Sequence, residues 1–597
     1  FIKIYGMGFQ THHGLVHAKI RYLRSRVPGC AAGQLIPFHQ YDIAPPLLSE
    51  MIEGRTTGNP PANDDHFGAR FHDLDPLQIS GELEVKRSTS ATVPFIDAIT
   101  SNITCEKISL HILSPLSSRL LGKTRPTVRR VRANMAGRSS KRGGRRERLA
   151  LRANPPAYDP CPPGQIGGTY KPLTEAELEK IYETALDLLD RLGMGEVPDR
   201  LRKDLLTVGA KDNGEGRILF PPSLVEAVVD QAAKTFILHG RDDSRSIEVG
   251  GNRVYFGTGG AAVQTLDLDN GRDRPSTLED LHNFTRLQDK LANVSWYTRC
   301  CIATDVPDNF DLDVNTAYAL LKNTTKPTAT AFTIADHVAP IVEMLDIAAG
   351  GAGAFAKRPF LKAHISPVIS PMRYGEDAVD VVYECIRHNI PMSCITAAQA
   401  GATAPATLAG SLAQSLAETL ASLVMVHAIQ PGFPMVFSNW PLVIDLRTGA
   451  FSGGSGETAV LNAASAQLSN WLGLPSGVAC SMTDAKAIDA QYGMEKGLTS
   501  MAAALAGGNL IYESSGMTAS LLGASFEAFV LDDEMHSHTY RALRGIEVSE
   551  ENLGFEAICD AVLGEGHFLG SSHTYAAMER DYFYPTLADR AEPRSWA

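Results

Sequence analysis

Aromatic, amide and carboxylate side chains recur just beyond short apolar runs of this chain. They are Tyr297, Phe332, Gln399, Asn439 with Trp440, the 480–486 stretch that carries Asp484, and Glu513. This mixture suits holding a diffuse organic cation. A methylammonium group has no strong donor on its methyls and is bound against aromatic faces, each worth about 0.5–2 kcal/mol. Tyr297, Phe332 and Trp440 are the candidate cation surface, and Asp484, Glu513 and Gln399 the candidate polar groups around the reacting centre. Packing in a core or rim is the competing reading for each aromatic. Helix capping and loop ion pairs compete for each carboxylate.

Other chemistries find less support. His536 and His538 stand two apart in a predicted helix, where they do not share a face, so no metal site is expected. His364 lies inside a predicted strand and reads as a hydrogen-bonded core histidine before it reads as a base. No G-x-S-x-G elbow and no phosphate-binding P-loop occur. The Gly-rich stretch 452–457 reads as an ordinary barrel loop, with an anion cradle as the weaker alternative.

These residues need a scaffold that brings distant segments together. Eight β-rich runs, at 253–256, 294–302, 328–334, 360–366, 391–397, 434–440, 477–481 and 509–514, alternate with helical stretches at 277–292, 310–322, 336–349, 375–388, 406–429, 457–472, 490–506 and 525–543. That alternation predicts a parallel α/β fold, and the count of eight favours a (β/α)8 TIM-type barrel. A doubly wound open sheet is the alternative, but no G-x-G-x-x-G follows an early strand. In such a barrel the site forms at the C-terminal ends of the strands, where the candidates above fall. Thr174 and Glu177 form a capping box opening an amphipathic helix, and Pro221-Pro222 opens another. Residues 174–250 are therefore expected to form a helical lead-in segment, and 251–597 the barrel.

Residues 1–134 are turn-rich without lasting periodicity. They are expected to be a poorly ordered or non-native extension, with Met135 a more natural start. Residues 135–173 read as a basic tail and linker. From Lys123 to Arg152 there are twelve Lys or Arg and one acid, Glu147. The whole chain has a net charge of -12, which argues against nucleic acid or an anionic membrane as its main partner. No run of eighteen apolar residues occurs, and the most apolar stretch, 408–429, is broken by Gln414, Glu418 and His427 and reads as a buried helix. Nine scattered cysteines without C-x-x-C pairs fit a reducing cytoplasm.

The run from Ser476 to Lys496, SGVACSMTDAKAIDAQYGMEK, adds a family signal. Thr483, Asp484, Ala485 and Lys486, then Asp489, Gln491, Gly493, Glu495 and Lys496, resemble the late barrel segment of the trimethylamine methyltransferase family. The 255–281 stretch resembles that family's opening hairpin, 445–449 with Glu457 its following loop, and Ser525 to Met535 a late motif. The basic run after Met135 also matches. The resemblance covers roughly 135–597.

It implies a (β/α)8 barrel that presents a methylated amine to Co(I) of a corrinoid carried by a separate small protein. No tightly bound cofactor and no resident metal are implied. Archetypal members carry pyrrolysine, and this sequence has only standard residues, with the replaced position sought near Cys480 to Thr483. Members without pyrrolysine resemble glycine betaine or other quaternary-amine methyltransferases, so a quaternary amine is expected over trimethylamine. A zwitterionic substrate needs a donor for its carboxylate, for which Arg447, His364 and Asn439 are candidates. The expected partners are thus the amine and a cognate corrinoid protein, with a homo-oligomer as the default. A barrel that binds an amine or a corrinoid protein without turnover is the competing reading.

Overall fold

The computed structural model describes residues 159–596. The 1–134 extension, the basic run and most of the linker lie outside the described residues. Eight parallel strands form the barrel: β1 (Tyr255–Gly257), β2 (Val294–Thr298), β3 (Thr328–Thr330), β4 (Leu361–Ile365), β5 (Met392–Thr396), β6 (Met435–Asn439), β7 (Gly477–Ala479) and β8 (Leu510–Tyr512). Neighbours pair in the order β6-β5-β4-β3-β2-β1-β8-β7. A parallel bridge between Phe437 and Ser476 closes the ring between β6 and β7. Each strand is followed by its helix: α1 (Leu278–Lys290), α2 (Asn309–Asn323), α3 (Val338–Ala349), α4 (Glu376–Arg387), α5 (Leu408–Ile429), α6 (Gly456–Trp471), α7 (Ala490–Ala506) and α8 (Phe526–Arg544). The expected TIM-type barrel is the observed fold.

Strand alternation sorts the residues of each strand into two layers. Trp296, Ile395, Val436, Leu510 and Tyr512 point inward and form one cluster, whereas Ala363, Met392, Cys394 and Phe437 point outward into the layer under the helices. A hairpin of Thr235–Leu238 and Ile247–Gly250 contributes Leu238, Ile247 and Val249 to the inner cluster.

The lead-in helices cover the outside of α5. Thr174 caps the helix Glu175–Asp187 as expected, its backbone N–H donating to Glu177 Oε2 at 2.8 Å. Leu178, Ile181 and Ala185 of that helix share a core cluster with Leu416, Leu420 and Val424 of α5. Sandwiched in this way, α5 is long and apolar enough to cross a membrane yet 78% buried within the protein. Glu418 of α5, fully buried, accepts from Ser370 Oγ at 2.6 Å, the Met372 N–H at 3.0 Å and Gln414 Nε2 at 2.9 Å. It thereby anchors the loop that follows β4. Burial raises the Glu418 carboxyl, and these three donors pull it back.

Candidate active site

The inward faces of β2, β4 and β8, with the residue just past β6, build an aromatic box. Tyr512 is its centre, with ring centroids of Trp296 at 4.5 Å, Trp440 at 4.9 Å and His364 at 5.6 Å. His364 and Trp440 stand 5.8 Å apart. Gly257 makes room for one wall, because a Cβ there would come within 2.1 Å of the Trp296 indole.

Lys362 lies on the same inward face of β4, two residues before His364. It is 1% exposed and donates to Tyr512 Oη at 2.7 Å and Ser393 Oγ at 3.0 Å. Its ammonium is 5.0 Å from the Trp296 ring and 4.8 Å from the Tyr512 ring. No carboxylate offsets its burial, which pulls the amine down to about 7. His364 is held well below its ordinary range by burial, then by Lys362 and Arg299, so its imidazole is neutral at pH 7. Arg299, 3% exposed, is therefore a buried cation close to the box.

Glu513 follows Tyr512 directly and is fully buried with φ of 62°, a conformation that breaks strand alternation. The loop after β1 receives it. A Cβ on Gly259 would lie 2.7 Å from its carboxylate, and one on Gly260 would lie 2.8 Å away. Burial pushes the Glu513 carboxyl up to about 8, against the opposing pull of the Gly260 amide and the Lys496 ammonium. The Gly260 amide is near enough to act electrostatically but outside hydrogen-bond geometry, since neither carboxylate oxygen has a hydrogen-bond partner.

Unpartnered buried polar atoms are uncommon and point to ligand sites. Here Trp296 Nε1, His364 Nδ1, Ser366 Oγ, Gln399 Oε1, Trp440 Nε1 and both Glu513 carboxylate oxygens are such atoms, and all lie on or just past the barrel strands. Gln399 sits on a short strand, Gln399–Ala400, paired with Leu442–Val443 beyond the ends of β5 and β6.

Other expected site residues lie elsewhere. Tyr297 is next to Trp296 and so faces outward, its Oη 3.3 Å from Cys300 Sγ, in a cluster with Leu281 and Phe284 of α1. Phe332 belongs to the outer cluster with Val338 and Ile341 of α3. Asn439 also faces outward, taking a hydrogen bond from Ser415 of α5 through Oδ1 and leaving Nδ2 unpartnered. Arg447 is 88% exposed and paired with Asp445 at 2.7 Å in a turn. That guanidinium holds the Asp445 carboxyl down to about 2.

Asp484 acts as a clamp between loops. Its Oδ1 accepts from the Gly453 N–H and from Ser520 Oγ, both at 2.9 Å. The Gly-rich 452–457 loop thus cradles a carboxylate of its own chain. The neighbouring motif residues complete the lock: Glu495 Oε2 accepts from Thr483 Oγ1 and the Asp484 N–H, both at 2.7 Å, and Lys496 pairs with Asp532 at 2.6 Å. A strap over 519–521 is held by this lock through the Ala519 N–H to Ala485 O at 2.7 Å and the Ser520 N–H to Thr483 O at 2.9 Å. All three strap residues have positive φ, and Leu521 packs on the inner cluster. Left-handed backbone at non-glycine residues costs roughly 1–2 kcal/mol each, so the lock must hold the strap in place.

Trp296, Tyr512, Lys362 and Arg299 were not foreseen from sequence. The signal for Lys362 was present: a lysine two residues from a histidine inside an apolar strand places both on one face.

Comparison with known proteins gives the family. The family model described as Trimethylamine methyltransferase (MTTB) matches residues 141–597. A glycine betaine methyltransferase of Desulfitobacterium hafniense (strain Y51) is 30% identical over 435 residues, covering 73% of this chain and 90% of that protein. The trimethylamine methyltransferase MttB of Methanosarcina barkeri is 29% identical over 430 residues, covering 71% and 86%. The crystal structure of the Methanosarcina barkeri monomethylamine methyltransferase aligns with TM-score 0.40 at 14% identity, covering 68% of this chain and 87% of that one. The chain belongs to the trimethylamine methyltransferase family.

Proposed function

We propose that this protein moves a methyl group from a quaternary amine, with glycine betaine as the preferred type, to Co(I) of a corrinoid presented by a partner protein. The observation that carries this reading is the box of Trp296, Trp440, Tyr512 and His364 at the strand ends, bordered by unpartnered polar atoms. The clustered π faces of Trp296, Trp440 and Tyr512 suit an onium group. His364 is neutral, and the one competing cation is Lys362, whose amine burial pulls down to about 7.

The corrinoid is a co-substrate here, so this chain needs to hold the amine with one methyl exposed toward the approaching cobalt. Among the described residues no three His, Cys, Asp or Glu converge to hold a metal. A quaternary ammonium leaves as a neutral amine and needs no proton. The residues' task is orientation and exclusion of water, a contribution that rises steeply with good alignment. Leu521 and the strap it belongs to cover the inner cluster and supply that exclusion. Gln399 and Glu513 bring polar atoms to the rim, while Asp484 acts indirectly by fixing the strap. For a betaine carboxylate, the buried cations at hand are Lys362 in the box itself and Arg299, which acts on the neighbouring His364.

The test compares binding of glycine betaine with that of 3,3-dimethylbutanoate, its carbon isostere without the positive charge. Preference for the onium by about tenfold or more supports an aromatic cation site. Equal binding of the two refutes it. A protein that binds the onium but never transfers a methyl group matches the competing non-catalytic reading.

A further inference from the structure

Glu513 differs from every other buried carboxylate described above. Glu418 has three donors around it, and Asp532 has Lys496, the Tyr492 hydroxyl at 2.7 Å and the Gly516 N–H at 2.7 Å. Glu513 has none. Its surroundings are also built to receive it: the Gly259 and Gly260 backbone leaves no room for a Cβ, and the Met517 side chain closes the Gly260 side. A buried carboxylate without donors is stable only as the neutral acid, unless a cation arrives.

Resting on the quaternary-amine reading above, we propose that Glu513 is the counter-ion of the bound ammonium, and that binding the ammonium expels the proton this carboxyl otherwise carries. The balance is simple. Glu513 carboxylic acid and a free onium ion become a carboxylate–onium pair in the site, and one proton goes to the buffer. For a simple onium ion the total charge of the site is then unchanged by binding, which removes most of the cost of burying a cation there, whereas a betaine also brings a carboxylate that needs its own cation.

The groups facing Glu513 fit this role. Lys496 of α7 is the one nearby cation acting on it, and that ammonium is already committed to Asp532 of α8. Tyr512 on its N-terminal side is held far above its ordinary range by burial and stays neutral. The loop after β1 meets it at Gly259 and Gly260, with Met517 on the Gly260 side, and none of these titrates. The titratable groups of the adjoining box are Lys362, pulled down to about 7, and the neutral His364. Glu513 at about 8 is therefore mostly protonated at pH 7 in the free protein.

The same geometry makes Glu513 a specificity residue. A permanent cation gains a partner on entering, whereas a neutral amine or the carbon isostere leaves the acid as it was. Affinity for onium ligands should therefore rise with pH, by about tenfold per unit below the free-protein value and levelling above it.

The experiment is calorimetric titration of the full chain with tetramethylammonium and with glycine betaine, in phosphate and in Tris at pH 7. The expected result is a buffer-dependent heat corresponding to release of close to one proton per bound onium, which is lost in Glu513→Gln. Because Lys362 in the box also titrates near 7, the same titration and a pH series from 6 to 8 are run on Lys362→Met. Proton release and a climbing affinity that persist there assign the proton to Glu513. Their loss there while Glu513→Gln keeps them assigns it to Lys362 and overturns the proposal. Binding of both onium ions with no proton released and a flat pH series overturns the role of Glu513 while leaving the amine site standing. Failure of either onium to bind overturns both readings together.

Discussion

Replacing Trp440 by Leu tests the inward aromatic box against the outward aromatics. Trp440 is 3% exposed, 4.9 Å from the Tyr512 ring and 5.8 Å from His364. Leucine keeps an apolar, branched side chain in the space but removes one π face from the onium. That face is worth about 0.5–2 kcal/mol, or roughly 2- to 30-fold in affinity. The loss should appear in KM for the methylated amine, with kcat changed less, because the face serves bound substrate and transition state alike. Phe332→Leu is the control. Phe332 lies in the outer cluster under α3, so that variant should lower stability by about 1–2 kcal/mol and leave KM within twofold. Steady-state methyl transfer at varied amine concentration and urea unfolding of both variants give the comparison. Equal KM effects from Trp440→Leu and Phe332→Leu would refute the assignment of the box to the inward layer.

Three further outcomes are expected. Lys362 falls from its ordinary value of 10.5 to about 7 on burial, so folding expels its proton between those values. The cost is full at pH 7 and below and fades as pH rises toward 10, with an upper bound of about 5 kcal/mol. Lys362→Met should therefore gain most relative to wild type near pH 6–7 and lose that advantage by pH 10 in urea unfolding, and a pH-independent difference would contradict the assignment. Glu418→Ala leaves Ser370 and the Met372 N–H without their acceptor and opens a cavity, and should destabilise the fold by about 2–4 kcal/mol in the same assay. Gly257→Ala drives a Cβ into the Trp296 indole, so its tryptophan emission should shift and its affinity for glycine betaine should fall severalfold, and unchanged emission with unchanged affinity would remove Gly257 as the seat of that ring.

The barrel was legible because each strand is a short apolar run with an amphipathic helix behind it, and β2 to α8 fall where the hydrophobic period changes. The site was legible only in part. Counting β2 as 294–302 and β3 as 328–334 made Tyr297 and Phe332 look like residues near strand ends, whereas β2 ends at Thr298 and β3 at Thr330. One residue of offset in a strand turns a side chain to the other face, and so Trp296 rather than Tyr297 joins Trp440. Glu513 and Gln399 lie just past the ends of β8 and β5, the positions that the barrel rule singles out. The Thr483 to Lys496 motif was read as a family signal, and its residues prove to be a lock between loops. Arg299 carried no signal in the sequence, because only the folded barrel brings it near His364.

The most direct test of the central claim is methyl transfer from a panel of methylated amines to chemically reduced cob(I)alamin, followed by absorbance. Glycine betaine or another quaternary amine is predicted to yield methylcobalamin and the demethylated tertiary amine, with trimethylamine inactive. Transfer from trimethylamine alone would contradict the substrate assignment, and no transfer from any donor, even with a corrinoid protein supplied, would contradict the account as a whole.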